Sequence, residues 1–483
     1  MKVRIFSTVL LMVILSFSFA KNPVEPPKPI NPLPSDAQLA WQKMEMVSFV
    51  HFTTNTFTDM ERGNGDEPES VFNPTEPDPL QWATVLNNTG FKELIFTCKH
   101  HDGFCLWPSR YTEHSIKNSP YKNGKGDMVL EVSDACKKTG LNFGIYLSPW
   151  DRNRADYAQP GYINYYRNQL TELITNYGPI SELWLDGANG GTGYYGGANE
   201  NRTITTSYYD WLNTIKLARS LQKLEFVIFS DNGPDIRWVG NEEGYVCETN
   251  WNMIDPDTAL IRRTGFEKIV GSGMENGSHW IPSEVDVSIR PGWFYHEKED
   301  SLVKTPERLF EIYLTSVGRG AVLLLNVPPD RRGLIHENDI RSLKGFRDIL
   351  DREFKTNLAT GAKATASSVR GKSKMFDAAN VIDENKDSYW ATDDDIKTAS
   401  IEIDLSKTCL IKYVVLQEYI KLGQRIKEFN VEVYNGKTWK MVANATTIGY
   451  KRILRLNPVE ARKIKVNITD SKACPIISNI QVY

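Results

Sequence analysis

The sequence predicts an α/β protein in which a (β/α)8-type barrel is followed by a smaller β-sandwich. Eight short apolar runs alternate with amphipathic stretches over residues 37–355, which is the pattern of a parallel barrel. Several of these runs stop at a polar or ionisable side chain, and in a barrel the strand ends converge on one mouth. From residue 356 onward, short alternating runs separated by polar turns are typical of a sandwich.

The barrel elements are predicted from hydrophobic periodicity. The candidate strands are, in order, Met46–Phe52, Glu93–Lys99, Asn142–Leu147, Ser181–Leu185, Glu225–Ser230, Tyr245–Asn250, Val285–Ile289 and Ala321–Val327. The candidate helices are Asp78–Asn88, Met128–Lys138, Ile163–Tyr177, Tyr208–Leu221, Glu307–Val317 and a closing helix at Asp339–Phe354. A doubly wound sheet is the structural alternative, but it needs a Gly-rich turn after the first strand, and residues 51–55 contain no glycine.

The candidate sandwich strands share an alternation of apolar and polar residues. They are Ser400–Ile403, Ile411–Gln417, Phe429–Tyr434, Lys463–Ile468 and Ile477–Val482. Trp390 is expected to lie in the core of this second domain. The domain boundaries expected from these patterns are 37–355 for the barrel and 356–483 for the sandwich.

The amino-terminal segment resembles a secretory signal. Lys2 and Arg4 precede an apolar run, and residues 18–20 supply small side chains at the cleavage positions. The run is too short for a comfortable membrane span. We therefore expect residues 1–20 to be a signal peptide, residues 21–36 to be a Pro-rich amino-terminal arm, and the protein to be exported to the periplasm or medium of a bacterium without a membrane span.

The charge distribution indicates which partners to expect, and the cysteine spacing indicates whether zinc sites or disulfides are expected. The chain carries 57 Lys and Arg against 60 Asp and Glu, a net charge of −3. Because the basic residues are scattered, nucleic acid is not an expected partner. None of the six cysteines has zinc-site spacing. Buried thiols are the main expectation, and a Cys409–Cys474 bridge is the alternative.

The strand ends indicate a sugar site. Asp186 follows the fourth run, His51 the first, and His100 and His101 the second. Carboxylates suit acid/base chemistry, imidazoles suit hydroxyl groups, and indole rings suit the apolar face of a sugar.

Five stretches of the first domain form a recognisable set: Phe-Val-His-Phe-Thr at 49–53, Thr-Cys-Lys-His-His-Asp-Gly-Phe-Cys-Leu-Trp-Pro-Ser at 97–109, Gly-Ile-Tyr-Leu-Ser-Pro-Trp-Asp at 144–151, Leu-Trp-Leu-Asp-Gly-Ala at 183–188 and Leu-Leu-Leu-Asn-Val-Pro-Pro at 323–329. Together they resemble glycoside hydrolase family 29, the retaining α-L-fucosidases. The second domain resembles discoidin-like modules of the coagulation factor 5/8 type C kind, through Asn-Leu-Ala at 357–359, Ala-Thr-Ala-Ser-Ser at 364–368, Asn-Val-Ile-Asp at 380–383 and Trp-Ala-Thr at 390–392.

The resemblance implies a double-displacement mechanism that requires no cofactor or metal. Asp186 would be the nucleophile; the alternative is an Asp that only caps the following loop. Glu242 would be the acid/base, with Glu243 and Glu284 as rivals. Glu248 also lies late in the barrel.

The resemblance also implies the residues that contact the sugar. His51, His100 and His101 would bond fucose hydroxyls. Metal binding is the competing interpretation, disfavoured because adjacent side chains on an extended chain point in opposite directions. Lys99 is expected to be a buried ion partner. The candidate pocket walls are the aromatic residues Trp107, Tyr146, Trp150, Trp184 and Trp293.

Two further stretches concern the acceptor. Residues 233–244 and 290–296 look like the family group that prefers α-1,3/4-linked fucose on branched, Lewis-type glycans. The Gly-rich run 190–197 lacks the Lys-Ser/Thr of a phosphate loop, so we expect a loop over the acceptor side. The predicted function is an exo-acting retaining α-L-fucosidase for fucosylated oligosaccharides or glycoconjugates; the alternatives are a broader-specificity fucosidase and a non-catalytic carbohydrate-binding protein.

Overall fold

The computed structural model describes residues 24–231, 233–256 and 265–483. The signal-peptide prediction falls on residues outside these ranges, as do the first residues of the arm. Within the described ranges, no helix is long and apolar enough to span a bilayer.

The first domain is a closed eight-stranded parallel barrel. Its strands are β1 (Met46–Val50), β2 (Glu93–Lys99), β3 (Asn142–Leu147), β4 (Glu182–Trp184), β5 (Val227–Ser230), β6 (Ile236–Trp238), β7 (Ser283–Ser288) and β8 (Val322–Asn326). Pairing of β1 with β8, Phe49 opposite Asn326, closes the barrel. The strands are buried along most of their length, as expected for strands covered on both faces.

The prediction of the sixth strand at Tyr245–Asn250 is wrong. The sixth strand is β6, three residues long, and it pairs with β5 and β7. Its centre is Arg237, which is fully buried and donates hydrogen bonds to Val270 O and Asn250 Oδ1. A buried arginine removes the apolar signal that identifies a barrel strand. Residues 245–250 are instead an extended loop held by scattered bonds, such as Val246 N to Thr315 O.

Nine α-helices are present in the described ranges. They are α1 (Asp36–Gln42), α2 (Thr54–Thr58), α3 (Pro79–Asn88), α4 (Met128–Thr139), α5 (Pro160–Asn176), α6 (Trp211–Leu221), α7 (Phe266–Ser272), α8 (Pro306–Thr315) and α9 (Glu337–Glu353). Local sequence sets their ends: Asp78 caps α3 ahead of Pro79, and Asp127 caps α4, which stops at Gly140 in the left-handed region.

Helix α1 closes the amino-terminal end of the barrel. Its Trp41 points inward, and the indole N–H donates to Glu182 Oε2 at 2.8 Å. Above Trp41 the barrel interior is filled by aromatic rings: Trp184 stacks on Phe229 at 4.1 Å and meets Phe49 edge-on at 5.0 Å. The barrel interior is therefore a packed core at the level of these rings.

The second domain is an antiparallel β-structure. Its strands are β9 (Lys363–Ala366), β10 (Trp390–Ala391), β11 (Ala399–Glu418), β12 (Ile426–Tyr434), β13 (Trp439–Ala445), β14 (Arg452–Ser471) and β15 (Ile476–Val482). The long strands β11 and β14 run side by side with a register shift between Asp404 and Cys409. One half of β11 pairs with β9 and the other with β15, so both layers of the sandwich share these strands. Trp390 is fully buried in the core, as predicted.

The Cys409–Cys474 bridge is not formed. All six cysteines are free thiols. Cys474 lies against the guanidinium of Arg425, whose Nη1 is 3.2 Å from Sγ, whereas Cys409 lies on β11 at the end of the register shift. The expectation of buried thiols holds for Cys98, Cys105, Cys136 and Cys474.

The Pro-rich arm contacts the sandwich in the described range. Arg370 donates to the main-chain carbonyl of Glu25, Arg425 donates to that of Lys28, and Ile30 N donates to Leu422 O. The arm therefore lies on the sandwich before the chain enters the barrel.

Candidate active site

A cavity of about 550 Å³ opens at the carboxyl ends of the barrel strands. Its floor is the aromatic layer of Phe49, Trp184 and Phe229, and its rim comes from the loops after the strands. The other lining residues are His51, Glu61, Arg62, His100, His101, Tyr146, Asp186, Gly187, Ala188, Asp231, Trp238, Glu242, Asp286 and Trp293. This is the size and composition of a small-molecule site.

Asp186 lies just beyond β4, and its two oxygens are fixed separately. The Tyr146 hydroxyl donates to Oδ2 at 2.7 Å, and the Ala188 N–H donates to Oδ1 at 2.6 Å. Burial raises the pKa of this carboxyl, while the two hydrogen bonds and the nearby Arg62 act to lower it. The side chain remains 19% exposed towards the cavity, so an oxygen of Asp186 is held in place and open to a ligand.

Glu242 reaches the cavity from the loop after β6. Its Oε2 accepts a hydrogen bond from the Trp293 indole at 3.2 Å. Although the residue is partly open to solvent at the rim, desolvation by the cavity walls raises its pKa, and the charge of Asp186 raises it further. Glu242 and Asp186 therefore face the same cavity, and the charge of Asp186 acts on the protonation of Glu242.

The three predicted histidines come together and are neutral. Burial lowers the pKa of His51 and of His101 to about 3, and lowers that of His100 well below its usual range. Nδ1 of His51 bonds Asn326 Oδ1 at 2.8 Å. Because the amide nitrogen of Asn326 donates elsewhere, Nδ1 of His51 is the donor and Nε2 is left as an acceptor.

The same argument fixes His101. Its Nδ1 lies 2.7 Å from Ser148 Oγ, which donates its own proton to Trp150 O. Nε2 of His101 therefore carries a lone pair, and its 3.7 Å approach to Asp186 Oδ2 is not an ion pair. The expectation that His100 and His101 point in opposite directions is wrong. Strand β2 ends at Lys99, and in the turn that follows the two rings lie 4.0 Å apart.

Lys99 is the buried ion partner that the sequence predicts. Its Nζ lies 3.0 Å from Asp151 Oδ2 and 3.0 Å from Gln169 Oε1, with no exposure. It supports the end of β2 from behind the cavity.

Tyr146, Trp184 and Trp293 line the cavity as expected, and Trp184 separates it from Glu284. The Trp184 indole N–H donates to Glu284 Oε1 at 2.9 Å, and Glu284 is fully buried beneath the ring. Glu243 is exposed outside the cavity, and Glu248 faces Arg319. Of the four late glutamates, Glu242 is the one that lines the cavity.

Trp107 and Trp150 do not line the cavity. Trp107 is in the outer core, where its indole donates to Glu172 at 2.9 Å. Trp150 lies behind His101, with ring centres 4.9 Å apart, and donates to the Tyr195 hydroxyl. The motif places both tryptophans near strand ends, but each ring turns towards the surrounding helices and loops.

The Gly-rich run forms a small hairpin in which Gly191–Gly193 pairs with Glu200–Arg202. Tyr195 is buried beneath it and donates to Gly191 O at 3.0 Å. These bonds give the run a defined conformation beside Trp150.

Five cavity residues whose side chains carry polar atoms were not among the predicted site residues: Glu61, Arg62, Asp231, Trp238 and Asp286. Asp231 follows β5, and its position after an apolar run was the available signal. Asp286 lies on β7, and Trp238 donates to its Oδ1 at 3.0 Å. Glu61 and Arg62 come from the loop after α2. The sequence of this loop has no hydrophobic periodicity from which its position could be predicted. Burial raises the pKa of Asp231 to about 6 and that of Asp286 well above its usual range.

Glu61 positions the Trp293 loop. Its carboxylate accepts from the Trp293 N–H at 2.8 Å and the Phe294 N–H at 3.3 Å, and it bonds His296 Nε2 at 2.6 Å. Within the described ranges, no group of three or more His, Cys, Asp or Glu side chains is arranged to hold a metal ion.

Comparison with known proteins agrees with this geometry. Residues 33–353 match the family model described as alpha-L-fucosidase, and residues 363–480 match the F5/8 type C domain. "Alpha-L-fucosidase 1" of Arabidopsis thaliana is 41% identical over 462 residues, covering 95% of this chain and 88% of that protein. "Plasma alpha-L-fucosidase" of Homo sapiens is 28% identical over 311 residues, covering 61% of this chain and 57% of that protein.

Solved structures give the same result. A glycoside hydrolase 29 family member from an unknown rumen bacterium superposes with a TM-score of 0.84 at 42% identity, covering 95% of this chain and 78% of that one. A Ruminococcus gnavus GH29 fucosidase in complex with fucose superposes with a TM-score of 0.86 at 34% identity, covering 96% and 97%. The chain is therefore a member of the α-L-fucosidase family, glycoside hydrolase family 29, and carries a carboxyl-terminal F5/8 type C domain.

Proposed function

We propose that this fucosidase is exo-acting and retaining, with Asp186 as nucleophile and Glu242 as acid/base, and that it removes α-1,3/4-linked fucose from branched, Lewis-type glycans. The observation that carries the proposal is that Asp186 and Glu242 line one aromatic-floored cavity while Glu284 lies under its floor.

In the first step an oxygen of Asp186 forms a bond to the anomeric carbon, and the bond to the leaving oxygen breaks. The hydrogen bonds from Tyr146 and Ala188 hold the carboxylate in position and act to lower its pKa against the effect of burial. Glu242 gives its proton to the leaving oxygen. Its raised pKa favours the protonated form that this step needs.

In the second step Glu242, now ionised, takes a proton from water, whose oxygen attacks the anomeric carbon and releases Asp186. Two inversions give net retention. The neutral histidines suit the sugar hydroxyls: Nε2 of His51 and of His101 are acceptors, and Nδ1 of His100 has no partner among the described residues. The rings of Phe49 and Trp184 offer an apolar surface to the C5 methyl group of fucose.

The closed floor supports exo action, because the cavity ends at Trp184 and Phe229 and leaves no path for a chain to continue. The two stretches that look like the α-1,3/4-specific group, 233–244 and 290–296, supply Glu242 and Trp293. Their contact at the cavity rim supports a role in contacting the acceptor.

The nucleophile and acid/base assignments are tested together. Asp186→Asn should lower kcat on an aryl α-L-fucoside by at least about a thousandfold. Glu242→Ala should lose activity mainly on the natural glycan. Added azide should restore its rate on the aryl substrate, and the product should be a fucosyl azide of retained configuration. The exposed α9 variant Asp348→Asn is the matched control. Azide rescue of Glu284→Ala but not of Glu242→Ala would overturn the assignment.

The linkage is tested by comparing kcat/KM on a Lewis trisaccharide with that on 2′-fucosyllactose under matched conditions. A branch galactose bound in the transition state should favour the trisaccharide. Equal or reversed efficiencies would favour the broader-specificity alternative.

We also propose that the protein is exported, on the basis of Lys2, Arg4 and the apolar run that follows them. Amino-terminal sequencing of protein from fractionated cells should begin near Lys21. Recovery of a chain that retains residues 1–20 would contradict it.

A further inference from the structure

A second cavity, of about 940 Å³, lies where the barrel meets the sandwich. Its barrel side is built by Lys43–Met46, which lead into β1, and by Gly90 and Lys92, which precede β2. These are the amino-terminal ends of the strands. The cavity, which we term the interdomain cleft, is therefore at the opposite end of the barrel from Asp186. Helix α9 and the sandwich strands β11, β14 and β15 complete it.

The charge of the interdomain cleft is opposite to that of the chain. Six cationic side chains line it, against two acidic ones, a local excess of four in a protein whose net charge is −3. The cations are Lys43, Lys92, Arg347, Arg352, Lys355 and Lys451. Both acidic side chains form ion pairs within the interdomain cleft: Glu45 pairs with Lys451 at 2.5 Å, and Asp351 pairs with Arg347.

Three of the lysines have no acidic partner in the part of the chain that the structure describes. Among the described residues, Lys43, Lys92 and Lys355 form no ion pair, and all three are exposed to the cleft or its opening. Arg352 is paired with Glu353 at 3.0 Å. The unpaired positive charge is thus concentrated on flexible side chains that can close around an anion.

Lys386 adds a further positive charge on the sandwich side. Together with Glu384 it lines an adjoining cavity that shares Phe354, Lys355, Gln481 and Tyr483 with the interdomain cleft. Burial lowers the pKa of Lys386, and the nearby cations Lys451 and Lys43 lower it further, whereas Glu45 acts to raise it. Positive groups here repel one another, and a bound anion would relieve that repulsion.

The interdomain cleft also offers aromatic surface. Tyr313, Phe354 and Tyr483 line it, with the rings of Phe354 and Tyr483 edge-to-face at 5.2 Å. A bare inorganic ion would gain nothing from these rings, whereas the apolar face of a sugar ring packs on them. The cavity volume is in the range of sites that hold a small organic ligand.

We propose that the interdomain cleft is a second, non-catalytic binding site for a sugar that carries an oxyanion, either a sulfate ester or a carboxylate. The unpaired lysines neutralise the oxyanion, and the aromatic side chains contact the ring. The site is distinct from the fucose cavity, and the proposal does not depend on the catalytic assignments.

Titration calorimetry on the full chain at constant low ionic strength tests the proposal. The ligands are N-acetylglucosamine 6-sulfate, N-acetylneuraminic acid, neutral N-acetylglucosamine and sodium sulfate. We expect binding of at least one of the two acidic sugars and none of neutral N-acetylglucosamine. Inorganic sulfate that binds as tightly as both acidic sugars would overturn the role of the ring, and absence of binding by both acidic sugars would overturn the site.

Variants locate the binding. The double variant Lys43→Gln/Lys355→Gln should raise the Kd for the acidic sugar by about tenfold or more, because it removes two charge-assisted contacts. The matched control is Lys437→Gln/Lys440→Gln, on the exposed hairpin at β13, with the same change in net charge. Both double variants should keep the thermal midpoint and the rate of fucoside hydrolysis. Equal weakening in the two variants would show a non-specific charge effect and overturn the proposal.

Discussion

The indole N–H of Trp293 donates to Oε2 of Glu242 at 3.2 Å, and this bond joins the loop after β7 to the loop after β6. Neither Glu242 nor Trp293 lies in a strand or a helix. This contact therefore helps to position the Glu242 carboxyl group over the cavity. The Trp293 loop is in turn held by Glu61.

Trp293→Phe should move the pH profile of kcat/KM. The indole hydrogen bond acts to lower the pKa of Glu242, so its loss raises that pKa. The alkaline limb, which reports the general acid in its protonated form, should shift to higher pH. We expect kcat/KM at neutral pH to fall about two- to tenfold, since a positioning contact is lost.

Trp211→Phe, on α6 away from the cavity, is the control for the Trp293 variant. A Trp293→Phe profile whose alkaline limb is unchanged or moves to lower pH would contradict this account of the Glu242 environment.

Gly187→Ala should damage the site although residue 187 is exposed. A Cβ there would lie 2.4 Å from both carboxylate oxygens of Asp231, so the loop beside Asp186 must shift. Overpacking of this kind costs about 1–3 kcal/mol. We expect kcat/KM to fall at least tenfold, measured on an aryl fucoside. Gly161→Ala, where the nearest atom is 3.8 Å away, should be neutral; equal losses in both variants would contradict the prediction.

Glu284→Gln should change the pH dependence of stability. Burial raises the pKa of Glu284, so the folded protein holds this proton more tightly than the unfolded chain. Wild-type stability is then lost as pH rises from the ordinary carboxyl range through the folded pKa. Glutamine has no proton to lose. The thermal midpoint of the variant relative to wild type should therefore increase between about pH 5 and pH 8.

Glu428→Gln, exposed on β12, should show a constant difference over the same range. A Glu284→Gln difference that falls with pH would mean that Glu284 is ionised in the folded protein.

Lys99→Met should destabilise the barrel by about 3–5 kcal/mol, because it leaves Asp151 buried without its partner. The urea midpoint measures the effect. Lys344→Met, exposed on α9, should change it little. A small effect of Lys99→Met would indicate that Asp151 is protonated or reached by water.

The sequence was sufficient for the parts of the fold that periodicity encodes. Seven barrel strands were located to within a few residues, because each contains a short apolar run that a helix-like stretch separates from the next. The sixth failed because Arg237 is buried in it and because it has only three residues. No local pattern distinguishes such a strand from a loop.

The site was predictable where a side chain directly follows a strand, as Asp186 and His51 do. Glu61 and Arg62 were not predictable, because their position in the cavity results from the path of a long loop. Trp107 shows the opposite error. It follows a strand in sequence, yet its ring turns to Glu172. The direction of a side chain after the strand end is set by contacts distant in sequence.

The docking of the arm on the sandwich has a consequence for how the molecule comes apart. Glu25 and Lys28 are held through main-chain carbonyls, and the carboxyl-terminal strand returns to the same domain, where Leu358 N donates to Val482 O. The chain therefore contacts the sandwich on both sides of the barrel sequence: through the arm before α1 and through the segment that follows α9. Separation of the two domains requires loss of the arm contacts as well as of the interdomain interface. We therefore expect the two domains to unfold as a single cooperative unit.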